Sequence, residues 1–204
     1  VQSLIWIGNV INLNPGHPDI EPLRIANEIL GGGASGRLFI NIREDKGYTY
    51  GAYSNFGVDR LNSTFSASAK VRNEVTDSAI VEFLNEYEKI TTEKVTELEL
   101  KAAKSSLSGS FGRSLESPSS AASFALNIAR YNLDSDYYNN YLNRIENVTA
   151  KDVLRVAKKY ISTEKTTIAV VGKAQDISSK LEAFGNCGRP QEYVCREGLR
   201  LRDP

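Results

Sequence analysis

Residues 48–71, YTYGAYSNFGVDRLNSTFSASAKV, carry two successive patterns of period two. In the first half the even positions Tyr48, Tyr50, Ala52, Ser54, Phe56 and Val58 are the more apolar set. In the second half Leu61, Ser63, Phe65, Ala67, Ala69 and Val71 alternate with Asn62, Thr64, Ser66, Ser68 and Lys70. Successive side chains of a strand point to opposite faces, so this spacing predicts an antiparallel hairpin with one wet face, turning at Asp59 and Arg60.

Downstream the period changes to that of helices, up to about residue 160. Val75, Ala79, Ile80, Phe83, Leu84, Tyr87 and Ile90 recur at steps of three and four. Thr96 and Glu99 form a capping box that opens the next helix, with Leu100, Ala103, Leu107, Phe111 and Leu115 as its inner stripe. Pro118 starts a third through Ala122, Ala125 and Ile128, and a fourth carries Tyr138, Tyr141, Leu142 and Ile145. Thr149 caps a fifth with Val153, Val156, Ala157 and Tyr160 inward. TTIAVVG (166–172) reads as a short buried strand, and Asp176 to Phe184 as a last helix.

Upstream of the hairpin, VQSLIWIGNVINL (1–13) is dense in branched and aromatic residues and predicts a strand buried on both faces. A helix follows from Pro18, with Ile20, Leu23, Ile25, Ala26, Ile29 and Leu30 inward and Gly31–Gly33 ending it. Ser35 is the expected N-cap of a short helix that holds Leu38, Phe39 and Ile42 inside and stops at Gly47. The order β-α-α-β-β, five helices, β-α describes an α+β domain with helices on one side of a mainly antiparallel sheet. It is expected to fill residues 1–184, with 185–204 an irregular tail.

Composition removes whole classes of function. Among 204 residues, 25 Lys and Arg balance 25 Asp and Glu, which speaks against a general nucleic-acid binder. No apolar run approaches the roughly 20 residues of a membrane span. A single His cannot build a zinc site with two or three His ligands. The missing initiator Met suggests a chain cut from something longer.

The remaining motifs are weak when taken singly. GGGASGR (31–37) has the glycines of a phosphate loop, but Arg37 and Leu38 stand where Lys and a hydroxyl residue belong, and it joins two helices. A tight turn between helices is the better reading. His17 in NPGHPD suits a surface or capping role. Cys187 and Cys195 allow either a disulfide or two thiols. Arg43 at a helix end, with Tyr48 and Tyr50 on one face of the next strand, offers cationic and phenolic donors for a peptide carbonyl or a developing oxyanion. Dipole complementation by the Arg and core packing by the tyrosines explain the same residues without function.

The longer run ILGGGASGRLFINIREDKGYTYGAYS (29–54) resembles the signature of the second domain of insulinase/pitrilysin-type zinc metallopeptidases, in the branch of the mitochondrial processing peptidases. That signature is a helix ending in L-G-G-G, then S-x-R-L-F, then I-R-E-x-x-G-x-x-Y. Pro18-Asp19, Thr96-Glu97-x-Glu99-Leu100-x-x-Ala103-Lys104, Gly109-Ser110-Phe111, Leu115-Glu116-Ser117, Val148-Thr149-Ala150 and Ala157-Lys158-Lys159-Tyr160 add to it, as does the AVVG strand at 169–172.

The resemblance implies one copy of a duplicated α+β unit, two copies facing each other around a cavity. The first copy carries H-x-x-E-H, whose His residues hold zinc and whose Glu is the base. This chain lacks that motif and so resembles the second, non-catalytic copy, inactive alone. Zinc is then expected in the partner half, which is an N-terminal catalytic half or a homologous subunit, and the substrate is a peptide or unfolded polypeptide. In that copy an Arg and a Tyr seven residues apart reach towards substrate, a spacing that Arg43 and Tyr50 have, with Tyr48 a weaker candidate. The alternative is a catalytically inert interaction or scaffold module of the same fold. The compartment stays open between a bacterial envelope or periplasm and the cytoplasm.

Overall fold

Strand β1 (Gln2–Ile11) is central to the sheet, because one of its edges is paired along its whole length and the other over Leu4–Gly8. The computed structural model describes residues 2–163, 165–185 and 199–201. β2 (Thr49–Gly57) and β3 (Ser63–Arg72) form the expected hairpin, and β3 runs antiparallel to β1, Gln2 facing Arg72 and Ile11 facing Ser63. β4 (Thr167–Val171) pairs antiparallel with the other edge of β1. A three-residue strand, β5 (Leu199–Leu201), lies in the stretch expected to be irregular and pairs in parallel with β4. The strand order is β2-β3-β1-β4-β5.

The helices cover one face of this sheet, so the fold is α+β and mainly antiparallel. They are α1 (Ile20–Gly31), α2 (Thr76–Thr92), α3 (Glu97–Ser114), α4 (Pro118–Tyr131), α5 (Tyr141–Glu146), α6 (Ala150–Tyr160) and α7 (Ala174–Leu181). Ile5 and Ile7 of β1, Phe65 of β3, Leu23 and Ile25 of α1, and Ile80, Phe83 and Tyr87 of α2 are wholly buried between the layers. Each such side chain contributes roughly 1.5–3 kcal/mol by leaving water. Both capping boxes form: Thr96 with Glu99 on α3, and Thr149 with Asp152 on α6.

Asp19, just before α1, is a buried carboxylate that fastens α1 to α6. It accepts from Arg155 at 2.6 Å, Lys159 at 3.0 Å and the Tyr160 hydroxyl at 2.8 Å. Burial acts to raise its pKa, but these bonds and the Arg155 charge outweigh it and bring the group from 3.8 down to about 2. Glu99 behaves alike: its bonds from Arg37 and Thr96 overcome burial and lower it from 4.5 to about 2.

Several sequence expectations fail, each for a local reason. β1 is buried on one face only, since Leu4, Trp6 and Val10 lie on the side that none of the described helices covers and are exposed. Ser35 caps nothing by its side chain; Leu38 leads instead into wide π-helical turns over Phe39–Asp45. Leu115 is exposed, and α4 has an apolar stripe but no buried residue, because no further layer covers it. Tyr138 sits in the turn before α5 and not inside a helix.

Tyr50 does not share the inward face of Ala52 and Ser54 that the alternation predicts. Thr49 faces Val71 and Ala52 faces Ala69, so Tyr50 and Gly51 together stand opposite Lys70 as a β-bulge. The extra residue breaks the alternation there. Ala52 and Ser54 stay inward, whereas Tyr50 swings out and is 88% exposed.

Candidate functional site

The segment around the bulge is where the expected site residues fall. Its entry is built by the π-helical turns, closed by Lys46 N–H donating to the Asn41 carbonyl at 3.0 Å and Tyr48 N–H to that of Ile42 at 3.0 Å. Gly47, at φ +63°, then reverses the chain into β2, a conformation that other residues adopt only with strain. The Thr49 hydroxyl donates to the Lys70 carbonyl at 2.6 Å and so secures the ladder beside the bulge.

The three candidates take separate positions on this frame. Arg43 lies on the turns with its guanidinium 4.6 Å above the Phe39 ring, and it is paired with Glu44 at 3.1 Å. Phe39 in turn meets Tyr53 at 5.7 Å between ring centres. Tyr48 is half-buried and packs against the core. Tyr50 projects into solvent, and among the described residues no hydrogen bond joins it to Arg43. Tyr48 and Tyr50 do border one groove of about 440 Å³, with Gln2, Thr49, Arg72 and Glu74.

The cation at that groove is Arg72, at the end of β3, whose Nη1 donates to the Gly47 carbonyl at 3.1 Å. Sequence reasoning did not single out Arg72 or Tyr53. The pairing of β2 with β3 brings Arg72 beside Gly47 from 25 residues away, and Tyr53 meets Phe39 only where β2 folds back past the π-helical turns. The arrangement offers phenolic and guanidinium donors at the free edge of β2, the kind of edge that extended polypeptides join.

The glycine-rich turn has a structural task. A Cβ on Gly31 would lie 2.5 Å from the Ser54 backbone nitrogen, and one on Gly36 would lie 2.7 Å from the Gly31 Cα. The glycines thus let the end of α1 press against β2. Arg37 is held by both oxygens of Glu99, at 2.7 and 3.1 Å, which fastens this turn to α3. That guanidinium is engaged and offers no phosphate contact.

Among the described residues no three His, Cys, Asp or Glu side chains gather as a metal cage. His17 Nδ1 accepts the Asp19 backbone N–H at 3.0 Å, a local turn role. Cys187 and Cys195 lie outside the described residues. Among the described residues no helix is long and apolar enough to cross a membrane.

Residues 4–107, half of the chain, match the family model described as the peptidase M16 inactive domain. The chain is 32% identical over 114 residues to the uncharacterized zinc protease YmxG of Bacillus subtilis, covering 54% of this chain and 27% of that protein. It is 30% identical over 143 residues to an uncharacterized zinc protease of Mycobacterium tuberculosis, covering 69% of this chain and 32% of that one. It thus spans about a third or less of these relatives. The crystal structure of a peptidase M16 inactive domain from Pseudomonas fluorescens superposes with a TM-score of 0.77 at 25% identity, over 83% of this chain and 40% of that one. An inactive peptidase domain of a putative zinc protease from Bordetella parapertussis shares the fold, with TM-score 0.71 and 20% identity, over 83% of this chain and 92% of that one.

Proposed function

Because the chain belongs to the peptidase M16 inactive-domain family, we propose that it is the substrate-binding, non-catalytic half of a zinc-dependent endopeptidase. It forms the wall of a cavity opposite a zinc-bearing half, and the substrates are peptides or unfolded polypeptides. Arg43 and Tyr50, with Tyr48 beside them, contact the bound peptide.

The observation that carries this reading is the uncovered face of the sheet. Leu4, Trp6, Val10 and Val171 are all exposed there, and the Trp6 ring lies across Gly8 in the middle of β1. Apolar side chains gathered on one sheet face mark a surface that another element covers. The relatives are about twice as long as this chain, which leaves polypeptide for a second half of similar size that supplies that cover and the metal. Tyr50 supports the same reading: a large aromatic side chain held out by a bulge gains nothing from this domain's own core.

The test is reconstitution. The chain alone is expected to bind no stoichiometric zinc and to leave a quenched fluorescent peptide intact. Co-expressed with an H-x-x-E-H-bearing half, it should restore zinc-dependent cleavage. Tight stoichiometric zinc in the isolated chain would overturn the reading. An assembled pair that binds zinc yet never cleaves any peptide would favour the scaffold module instead.

A further inference from the structure

On the helical side, away from the exposed sheet face, α1, α3, α4 and the turn before α5 enclose a cavity of about 420 Å³. That volume lies in the range of roughly 300–1,000 Å³ typical of small-molecule sites, which are mostly apolar with a few placed polar groups. The wall here is aromatic. Phe124 stacks on Tyr138 at 3.9 Å between centres, and Phe111 meets Tyr141 at 4.5 Å. Ile20 and Leu107 add aliphatic surface.

Among the described residues a single charged side chain lines this cavity, Arg24 of α1. Its Nε is buried without a hydrogen-bond partner. The neighbouring acid one turn earlier, Glu21, is already engaged: Arg144 donates to it at 2.7 Å and the Tyr137 hydroxyl approaches at 3.5 Å. Among the described residues Arg24 has no ion pair. A guanidinium donor left unsatisfied beside apolar walls is costly, and a carboxylate is the group whose geometry it matches. One wall belongs to α4, which buries none of its own residues and joins the Phe111–Phe124–Tyr138 stack through Phe124.

We propose that this cavity is a binding site for a small amphipathic carboxylate, its aromatic or branched apolar body seated among Phe111, Phe124, Tyr138 and Tyr141 and its carboxylate on Arg24. The bound molecule bridges α1 to α4 and steadies a helix that buries none of its own residues.

The test uses the 204-residue chain with 2-naphthoate as probe and 2-naphthamide as its uncharged twin, followed by calorimetry and by amide hydrogen exchange. The acid should bind saturably at one site, and the amide at least about tenfold more weakly. Arg24→Gln should bring the acid down to the level of the amide. Exchange over residues 118–131 should slow on binding in the unchanged chain and not in the variant. Ser110→Trp, which blocks the cavity from an exposed helix position, should abolish binding of both probes without touching Arg24. A tripeptide ending in a free Phe carboxylate should bind more weakly than naphthoate; tighter binding would assign the site to peptide ends and overturn the small-molecule proposal. Absence of saturable binding, equal affinity for acid and amide, or an unchanged affinity in Arg24→Gln would each overturn it as well.

Discussion

The layer formed by α1 and α2 on the sheet and the arm formed by α4 are written in the same helical code, yet they end in opposite environments. Ile80, Phe83, Tyr87 and Ile90 on α2 are wholly buried, while Ala122, Ala125 and Leu126 on α4 are exposed. An amphipathic period states that a helix has an apolar face; it does not state that the chain contains the surface to bury it. α2 is held by the chain's own core, whereas α4 leaves its apolar stripe largely in solvent. The exposed Leu4, Trp6 and Val10 on the outer sheet face tell the same story on the other side.

The sharpest way to break this contrast is to truncate one residue from each region. Phe83→Ala should cost about 3–5 kcal/mol in a denaturant titration. Leu126→Ala should stay within about 0.5 kcal/mol in the isolated chain. Comparable losses would mean that α4 is packed as firmly as α2.

Next in size is Gly31→Ala, whose added methyl meets the Ser54 backbone nitrogen rather than a flexible side-chain end. A loss of about 1–3 kcal/mol is expected by the same titration. Gly33→Ala, which would meet nothing within 4 Å, serves as the control and should be nearly silent.

Acid should act on the buried layer first. Asp19 and Glu99 are both held at about 2 in the folded chain, below their ordinary 3.8 and 4.5. Depressed carboxylates stabilise the fold above their unfolded values, and that contribution fades as the pH falls from about 4.5 towards 2. With solvent screening of the partly exposed partners, the effect is on the order of 1–2 kcal/mol in total. Asp19→Asn should lower the melting temperature at neutral pH, and its deficit should shrink towards pH 2. A deficit independent of pH would show that the charge of Asp19 is not what matters.

The sheet and its helices were legible because their signals are local. Alternation over Leu61–Val71 marks β3, and a hydroxyl three residues before an acid marks each capping box. Tyr50 was misplaced because a bulge depends on the register of two strands, Thr49 with Val71 and Ala52 with Ala69, and one strand's pattern does not contain it. Leu4, Trp6 and Val10 make β1 look buried on both faces because they are apolar, which is a property of residue type and not of what lies above them. The candidate site was legible as a segment but not as a constellation: Arg72 reaches Gly47 only once β3 has paired.

The most direct measurement is peptide turnover by the assembled enzyme, a zinc-bearing half together with this chain, carrying Tyr50→Phe or Arg43→Ala. Tyr50 is 88% exposed, so Tyr50→Phe should keep the melting temperature of the parent, and Arg43→Ala, which gives up the Glu44 pair and the stacking over Phe39, should lower stability by no more than about 1 kcal/mol. If this half holds the substrate, kcat/KM should fall at least about tenfold in each, a loss of roughly 1.4 kcal/mol of transition-state stabilisation. Unchanged kcat/KM in both variants would contradict the account and leave the chain a scaffold.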